Sequence, residues 1–201
     1  PKAGQTLVDG TLGGGGHTQR LAVAVGGNGL VIACDRDMAA VEAASDVLKG
    51  LPVTVVHANF SDLPETLNEL QIENVTGILL DLGISSDQLA DQDRGFSFHS
   101  TGLLDLRFDT TRGEPAWKLI ERLSAEHLAD LIFKYGEERF SRQIARRIIE
   151  QRRQAPIKTA KELAEVVRAT VPSSKYDRID PATRTFQALR IGVNDELKWL
   201  E

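Results

Sequence analysis

The sequence predicts an α/β fold, with a doubly wound parallel sheet in its first part and an all-helical second part. Two observations predict it. Four short apolar runs, "QTLVDG", "GLVIACD", "VTVVHAN" and "VTGILLDLG", are bounded by turn residues and separated by helical stretches. That is the pattern of βαβ units on a sheet covered on both faces. The alternation then stops after Leu82, and beyond an irregular stretch at 83–115 every segment reads as helix.

The first run ends in Asp9 and Gly10, and "HTQRLAVAV" follows as a short helix. The second run ends in Asp35. "RDMAAVEAASDVLKG" is alanine-rich and helical, with Gly50 as its stop. "FSDLPETLNEL" offers Ser61 as the N-cap of a third helix. Ligands of doubly wound sheets bind beyond the C-terminal strand ends, and Asp9, Asp35, Asn59 and Asp81 fall there. The stretch 83–115 is too long for a plain connection. It carries Phe96, Phe98 and Phe108, so an ordered, functional segment is expected. Helices resume at "AWKLIERL" and at "SAEHLADLIFKYG", the second capped by Ser124 and stopped by Gly136. "EERFSRQIARRIIEQRRQ" comes next. "TAKELAEVVRATVP" has Thr159 and Glu162 at capping-box spacing, with Pro172 at its end. "DPATRTFQALRIGVNDELKWLE" offers Asp180 as N-cap and Pro181 as first helical residue.

Composition narrows the function classes. With 201 residues, 41% hydrophobic and 26% charged, the chain is an ordinary globular domain, or one carrying a smaller insert. No apolar run approaches the roughly 18 residues of a membrane helix. Cys34 is the single cysteine, which excludes an internal disulfide. The histidines at 17, 57, 99 and 127 are scattered, so no metal site is expected. A cytoplasmic protein without a membrane partner is the expectation. The chain opens on Pro1, directly before a strand-like run, and reads as trimmed at its N-terminus. Charge is uneven. Residues 1–133 hold 9 Lys/Arg against 19 Asp/Glu, whereas residues 134–168 hold 10 against 5. A basic middle segment points to a polyanionic partner.

The glycine run in "VDGTLGGGGHTQRL" lets a ligand approach bare backbone and the N-terminus of the next helix. Two ligand classes use that geometry, a dinucleotide and S-adenosylmethionine (AdoMet). The dinucleotide spacing G-x-G-x-x-G is not met, because Thr18 and Gln19 stand where its last glycine belongs. Asp9, just before the glycines, would repel a pyrophosphate but could accept from an ammonium. The glycines alone leave both classes open. In the basic segment, Arg139, Arg142, Arg146 and Arg153 fall within about 60° at 100° per residue. Phe140, Ile144 and Ile148 lie opposite. Such an arginine stripe suits phosphates.

Taken together, "DGTLGGGGHT", "ACDRD", "LLDLGISSDQL", "RGFSF", "LDLRFDTTRG", "KYGEERFSRQIARRI" and "PATRTFQALRIGVNDEL" resemble the ribosomal RNA small subunit methyltransferase H family, also called MraW. The motifs span Asp9 to Leu197 in the family's order. The resemblance implies a Rossmann-like methyltransferase domain with a helical domain inserted after the fourth strand. It implies an enzyme that moves a methyl group from AdoMet to the N4 amine of a cytidine in the decoding region of small-subunit rRNA, naked or in the assembled subunit. By position it implies cofactor contacts at Gly15, Gly16, His17, Asp35, Phe60, Asp81 and Gln88. The family's "GPLDMR" reads "GLLDLR" here, a mild apolar change at Leu103 and Leu106. The family's opening segment and last strands have no counterpart, so an incomplete sheet is expected, with an open edge at the fourth strand. The expected parts are 1–84 for cofactor, 85–180 for the connecting loop and helical insert, and 181–201 for a helix returning to the methyltransferase domain.

Asp81, or a backbone carbonyl at 82–83, is expected to accept a hydrogen bond from the cytidine amine and turn its lone pair toward the methyl. The cytidine must leave its stack. Phe96 and Phe98 are expected to wall its pocket, with Asp105, Arg107 and Asp109 reading base edges. Arg139, Arg142, Arg146, Arg184 and Arg190 are the phosphate candidates. Two rivals stand beside this reading: a methyltransferase for DNA or a small molecule, and a non-catalytic RNA- or ribosome-binding fragment.

Overall fold

The computed structural model describes residues 1–172 and 179–197. The chain divides into two compact units, Pro1–Asp87 and Gln88–Glu201.

The first unit runs β1 (Thr6–Asp9), α1 (Gly16–Val25), β2 (Leu30–Asp35), α2 (Met38–Val47), β3 (Val53–His57), α3 (Leu63–Glu69) and β4 (Gly77–Leu79). The strands form one parallel sheet in the order β3-β2-β1-β4. Alternation along each strand explains the layers. Leu7 and Val31 point to one face and pack on Ala22 and Val25 of α1. Ala33 packs on Ala44 and Leu48 at the end of α2 on that same face. Val8, Ile32 and Cys34 point the other way, onto Leu63 and Leu67 of α3. Val31, Ile32, Ala33 and Cys34 are all fully buried, as a central parallel strand requires. β4 pairs with β1 alone among the described residues, and Ile78 and Leu80 are exposed there. Strand order reverses between β1 and β4, which makes that gap the topological switch point.

A five-residue helix, α4 (Ser86–Ala90), carries the chain across the boundary. The second unit holds α5 (Ala116–Arg122), α6 (Ala125–Gly136), α7 (Ser141–Gln154), α8 (Ala160–Thr170) and α9 (Thr183–Asn194). One core joins them, with Ile120, Leu128, Ile132, Ile144, Ile148, Leu163, Val167 and Leu189 at its centre. The irregular stretch is ordered by that core. Phe96, Leu104, Leu106 and Phe108 enter it, and Asn194 of α9 accepts from Phe108 N–H (2.9 Å) and donates to the Leu106 carbonyl (2.6 Å).

Several expectations shift. Ser61 does not cap α3; a 3-10 turn at Phe60–Asp62 precedes the helix, and the Ser61 hydroxyl donates to Asp62. α9 starts at Thr183, two residues beyond Pro181, although Asp180 still accepts from Ala182 N–H. Gly136 is not the residue past the helix end. Glu137 takes the left-handed turn with φ 51°, while Gly136 sits inside α6 where a Cβ would lie 2.4 Å from the Arg184 carbonyl. The glycine is there for the approach of α9. α9 itself does not stand apart as a third segment at 181–201. Its Ala182, Phe186 and Leu189 pack into the second unit's core, which is the reason it belongs to that unit. The end of that predicted helix, 198–201, lies outside the described residues. Ser124 and the Thr159–Glu162 capping box stand as expected.

Candidate functional site

The first unit gathers polar groups at the C-terminal ends of its strands. Asp9 ends β1 and is fully buried. Its carboxylate accepts from Thr18 Oγ1 at 2.7 Å and from Thr11 N–H at 3.1 Å. Both contacts lie within the chain, so Asp9 fastens the start of α1 to β1. It does not face a ligand ammonium, as its position before the glycines had suggested. The physical reason is burial: a carboxylate shut away from water is kept by hydrogen bonds.

Asp35 ends β2. One carboxylate oxygen accepts from Gly13 N–H at 2.9 Å and the other from Asp37 N–H at 2.9 Å. Burial pushes its carboxyl above the usual aspartate range, against those two hydrogen bonds, which lower it. Each oxygen keeps acceptor capacity for a further donor, such as a ribose hydroxyl. Asp81, just past β4, donates its N–H to Thr11 Oγ1 at 2.7 Å. Its exposed carboxylate lies 3.6 Å from His17 Nδ1 at the start of α1. The glycine run passes between these anchors. Gly13 and Gly15 have φ of +48° and +81°, the left-handed region that favours glycine. Gly16 has open space where a side chain would stand. Phe60 follows β3 and packs on Val8, Ile32 and Cys34, and a Cβ at Gly10 would meet it at 3.0 Å.

Gly15, Gly16, His17, Asp35, Phe60 and Asp81 therefore share one end of one sheet. Gln88 is buried on α4 and belongs to the second unit. Sequence reasoning missed Thr11 and Thr18, whose hydroxyls hold the loop. The signal was the pair of threonines flanking the glycines. The site fits AdoMet in its donor set. It offers an acceptor at Asp35, bare backbone at Gly16, an exposed carboxylate at Asp81, and Asn59 Oδ1, a buried oxygen just past β3 that accepts no hydrogen bond among the described residues.

The proposed substrate residues meet mixed fates. Phe96 is buried and stacks on Phe108 with ring centroids 5.4 Å apart, so it is core and offers no wall to a base. Phe98 is half-buried, edge-on to Phe186, with the Arg168 guanidinium over its ring. Asp105 and Arg107 pair with each other at 2.6 Å, and Arg107 also donates to the carbonyls of Thr110, Arg112 and Gly113. Asp109 accepts from Thr111. These three fix the loop instead of presenting edges to a base. Arg190 is mostly buried and paired with Glu196 at 2.8 Å, which removes it as a free phosphate ligand. Arg139 precedes α7 and lies over Phe140, so the helical angle that placed it in the stripe does not apply. Arg142, Arg146 and Arg153 are exposed on α7 and Arg184 on α9.

Comparison with known proteins is consistent along the whole chain. The model of the MraW methylase family matches residues 1–201. The protein named ribosomal RNA small subunit methyltransferase H of Geotalea uraniireducens is 47% identical over 204 residues, covering 100% of this chain and 65% of its own. The protein of that name from Syntrophotalea carbinolica is 49% identical over 200 residues, with 98% and 64% covered. The chain thus spans about two thirds of the length of these curated relatives. A solved structure described as a putative rRNA-methylase from Clostridium thermocellum is 28% identical, covers 43% of this chain and 49% of its own, and has a TM-score of 0.37, too low to bear on the fold.

Proposed function

The chain belongs to the MraW methylase family, and on that footing we propose that it transfers a methyl group from AdoMet to the N4 amine of a cytidine in small-subunit rRNA. The supporting observation is the ring of polar groups around the glycine loop at the switch point. Gly15, Gly16 and His17 line the backbone side, Asp35 receives the ribose, and Phe60 covers the base side. Gln88 is assigned to the same cofactor by resemblance. When bound, AdoMet supplies a methyl carbon on a sulfonium.

The cytidine N4 lone pair is delocalised into the ring, so the amine is a weak nucleophile. An acceptor that holds its N–H turns the nitrogen lone pair toward the methyl for in-line attack, and can take the proton as the N–C bond forms and the sulfonium C–S bond breaks. Asp81 is an exposed carboxylate just past β4, with His17 beside it at 3.6 Å; Asp87, also exposed, lies against the glycine loop near Gly14. We assign Asp81 that role. The short Thr11 contact to its backbone holds Asp81 at the mouth of the site. Asp81→Ala is expected to lower turnover at least about a hundredfold, the lower range for general base catalysis. Turnover within a factor of three of the parent removes Asp81 from the mechanism. On this reading the chain meets rRNA in the cytoplasm.

The deciding experiment is labelled-methyl transfer from AdoMet to unmethylated small subunits and to naked rRNA. Digestion and nucleoside analysis should yield N4-methylcytidine. AdoMet binding with no labelled nucleoside would reduce the chain to a binding fragment. Label in DNA or in a small molecule would overturn the substrate class.

A further inference from the structure

The second unit carries a concavity lined by Trp117, Lys158 and, from the arginine stripe, Arg153. Its floor is Trp117, at the start of α5, packed by one side against the core. Residues of α5, of the end of α7 and of the segment before α8 enclose a volume of about 210 Å3. Two ammonium groups lie near the indole. Lys118 Nζ is 5.4 Å and Lys158 Nζ 5.7 Å from its ring centroid. Arg153 lines the rim and is exposed. Arg152 is committed elsewhere, because its guanidinium donates to the Ile120 and Leu123 carbonyls at the end of α5. Glu121 is the carboxylate on the wall. Lys118, Arg153 and Lys158 make no ion pair among the described residues.

The combination is specific in kind. An apolar floor alone would suit a peptide or a lipid tail. Two ammonium groups by one indole, with Arg153 on the lining of the same concavity, suit a base whose sugar carries phosphates. Bases stack on indoles whatever their identity, and arginine and lysine hold the adjoining backbone. The two lysines sit on flexible stems and can leave the indole for a phosphate when a base arrives. We propose that this concavity is a subsite for one unpaired nucleotide of the RNA, its base on Trp117 and its flanking phosphates on Arg153 and Lys158. The proposal rests on the reading of the chain as an rRNA methyltransferase and adds that the RNA is gripped as a single strand.

The chain has two tryptophans, Trp117 and Trp199, so Trp199→Phe leaves one indole to observe. A short single-stranded oligoribonucleotide should quench that indole saturably. A perfect duplex of the same sequence should quench it far less. Trp117→Leu should weaken oligonucleotide affinity by at least about fivefold, the lower end of base–aromatic stacking. Trp117→Phe should retain most of it. AdoMet affinity should be unchanged in both. Arg153→Gln with Lys158→Gln alters exposed positions only and should weaken binding with a shallower salt slope, which keeps the test open if Trp117→Leu fails to fold. Quenching that is absent, or matched by an acidic peptide of equal charge, overturns the proposal. Methyl transfer that persists without quenching overturns the subsite alone. Quenching without methyl transfer overturns the enzymatic reading and leaves the subsite standing.

Discussion

Asp9 was read in the sequence as a group facing the ligand, and the structure turns it inward. Its one buried carboxylate serves Thr11 and Thr18 together. Thr18→Val keeps the side-chain shape and removes one donor from that carboxylate. It should cost about 1–3 kcal/mol of stability, the penalty for a buried acceptor left short of a partner. Urea unfolding measures it, and a change below about 0.5 kcal/mol would show that Asp9 needs no second donor. Asp180 supplies a pH test in the second unit. Burial raises its carboxyl, but hydrogen bonds from Arg168 and Ala182 outweigh it and hold the group below the usual range. A carboxyl depressed in the folded state stabilises fully above its unfolded value, near 3.9. That share is lost as pH falls through the folded value. Asp180→Asn should therefore narrow its stability gap to the parent as pH drops below about 4. A gap independent of pH between about 6 and 2 would remove the pair from acid stability. Of these pairings only the contact of Asp180 with Ala182 N–H, at the start of the last helix, was legible in the sequence. A lone aspartate reads alike whether it caps, pairs or catalyses, since the choice is made by burial.

At the scale of elements the sequence was more informative. The four strands stand where β-branched runs end in polar residues, because a central parallel strand has to be apolar on both sides. The capping box before α8 was legible because both partners lie within one turn. The start of α7 was not, because Arg139 and Phe140 carry helical periodicity in a stretch that forms a turn. That one-turn error moved Arg139 out of the stripe and left Arg142, Arg146 and Arg153 exposed on the helix. If Arg142 and Arg146 each neutralise a phosphate, replacing both with Gln should flatten the salt dependence of RNA affinity. The slope of log affinity against log salt should lose about 0.7 per arginine on single-stranded RNA. Filter binding from low to moderate salt reads it, and an unchanged slope takes α7 off the RNA surface.

For the whole molecule, the division into two units fits the change of pattern after Leu82, although the boundary falls at Asp87 and Gln88. The gathering of polar groups at one end of the sheet was legible from the chain, since strand ends are visible as polar stops. The fate of the phenylalanines expected to wall a cytidine pocket was not. Phe96 and Phe98 look alike in sequence, and only the packing of the loop shows that one is core and the other half-buried. A ligand held mainly by residues of the first unit should stabilise that unit first. AdoMet at a hundred times its Kd should add about 2.7 kcal/mol to whatever unfolding it opposes. Hydrogen exchange should slow most in residues 10–18 and 35–37, and protection confined to the helices of the second unit would contradict the site. The glycine loop has a further consequence for chemistry aimed at it. Side chains of Asp9, Thr11 and Asp35 knot it in place before any ligand arrives. An inhibitor of this site would meet a surface of settled shape, and resistance would arise most readily at Thr18, which is fully buried and out of an inhibitor's reach.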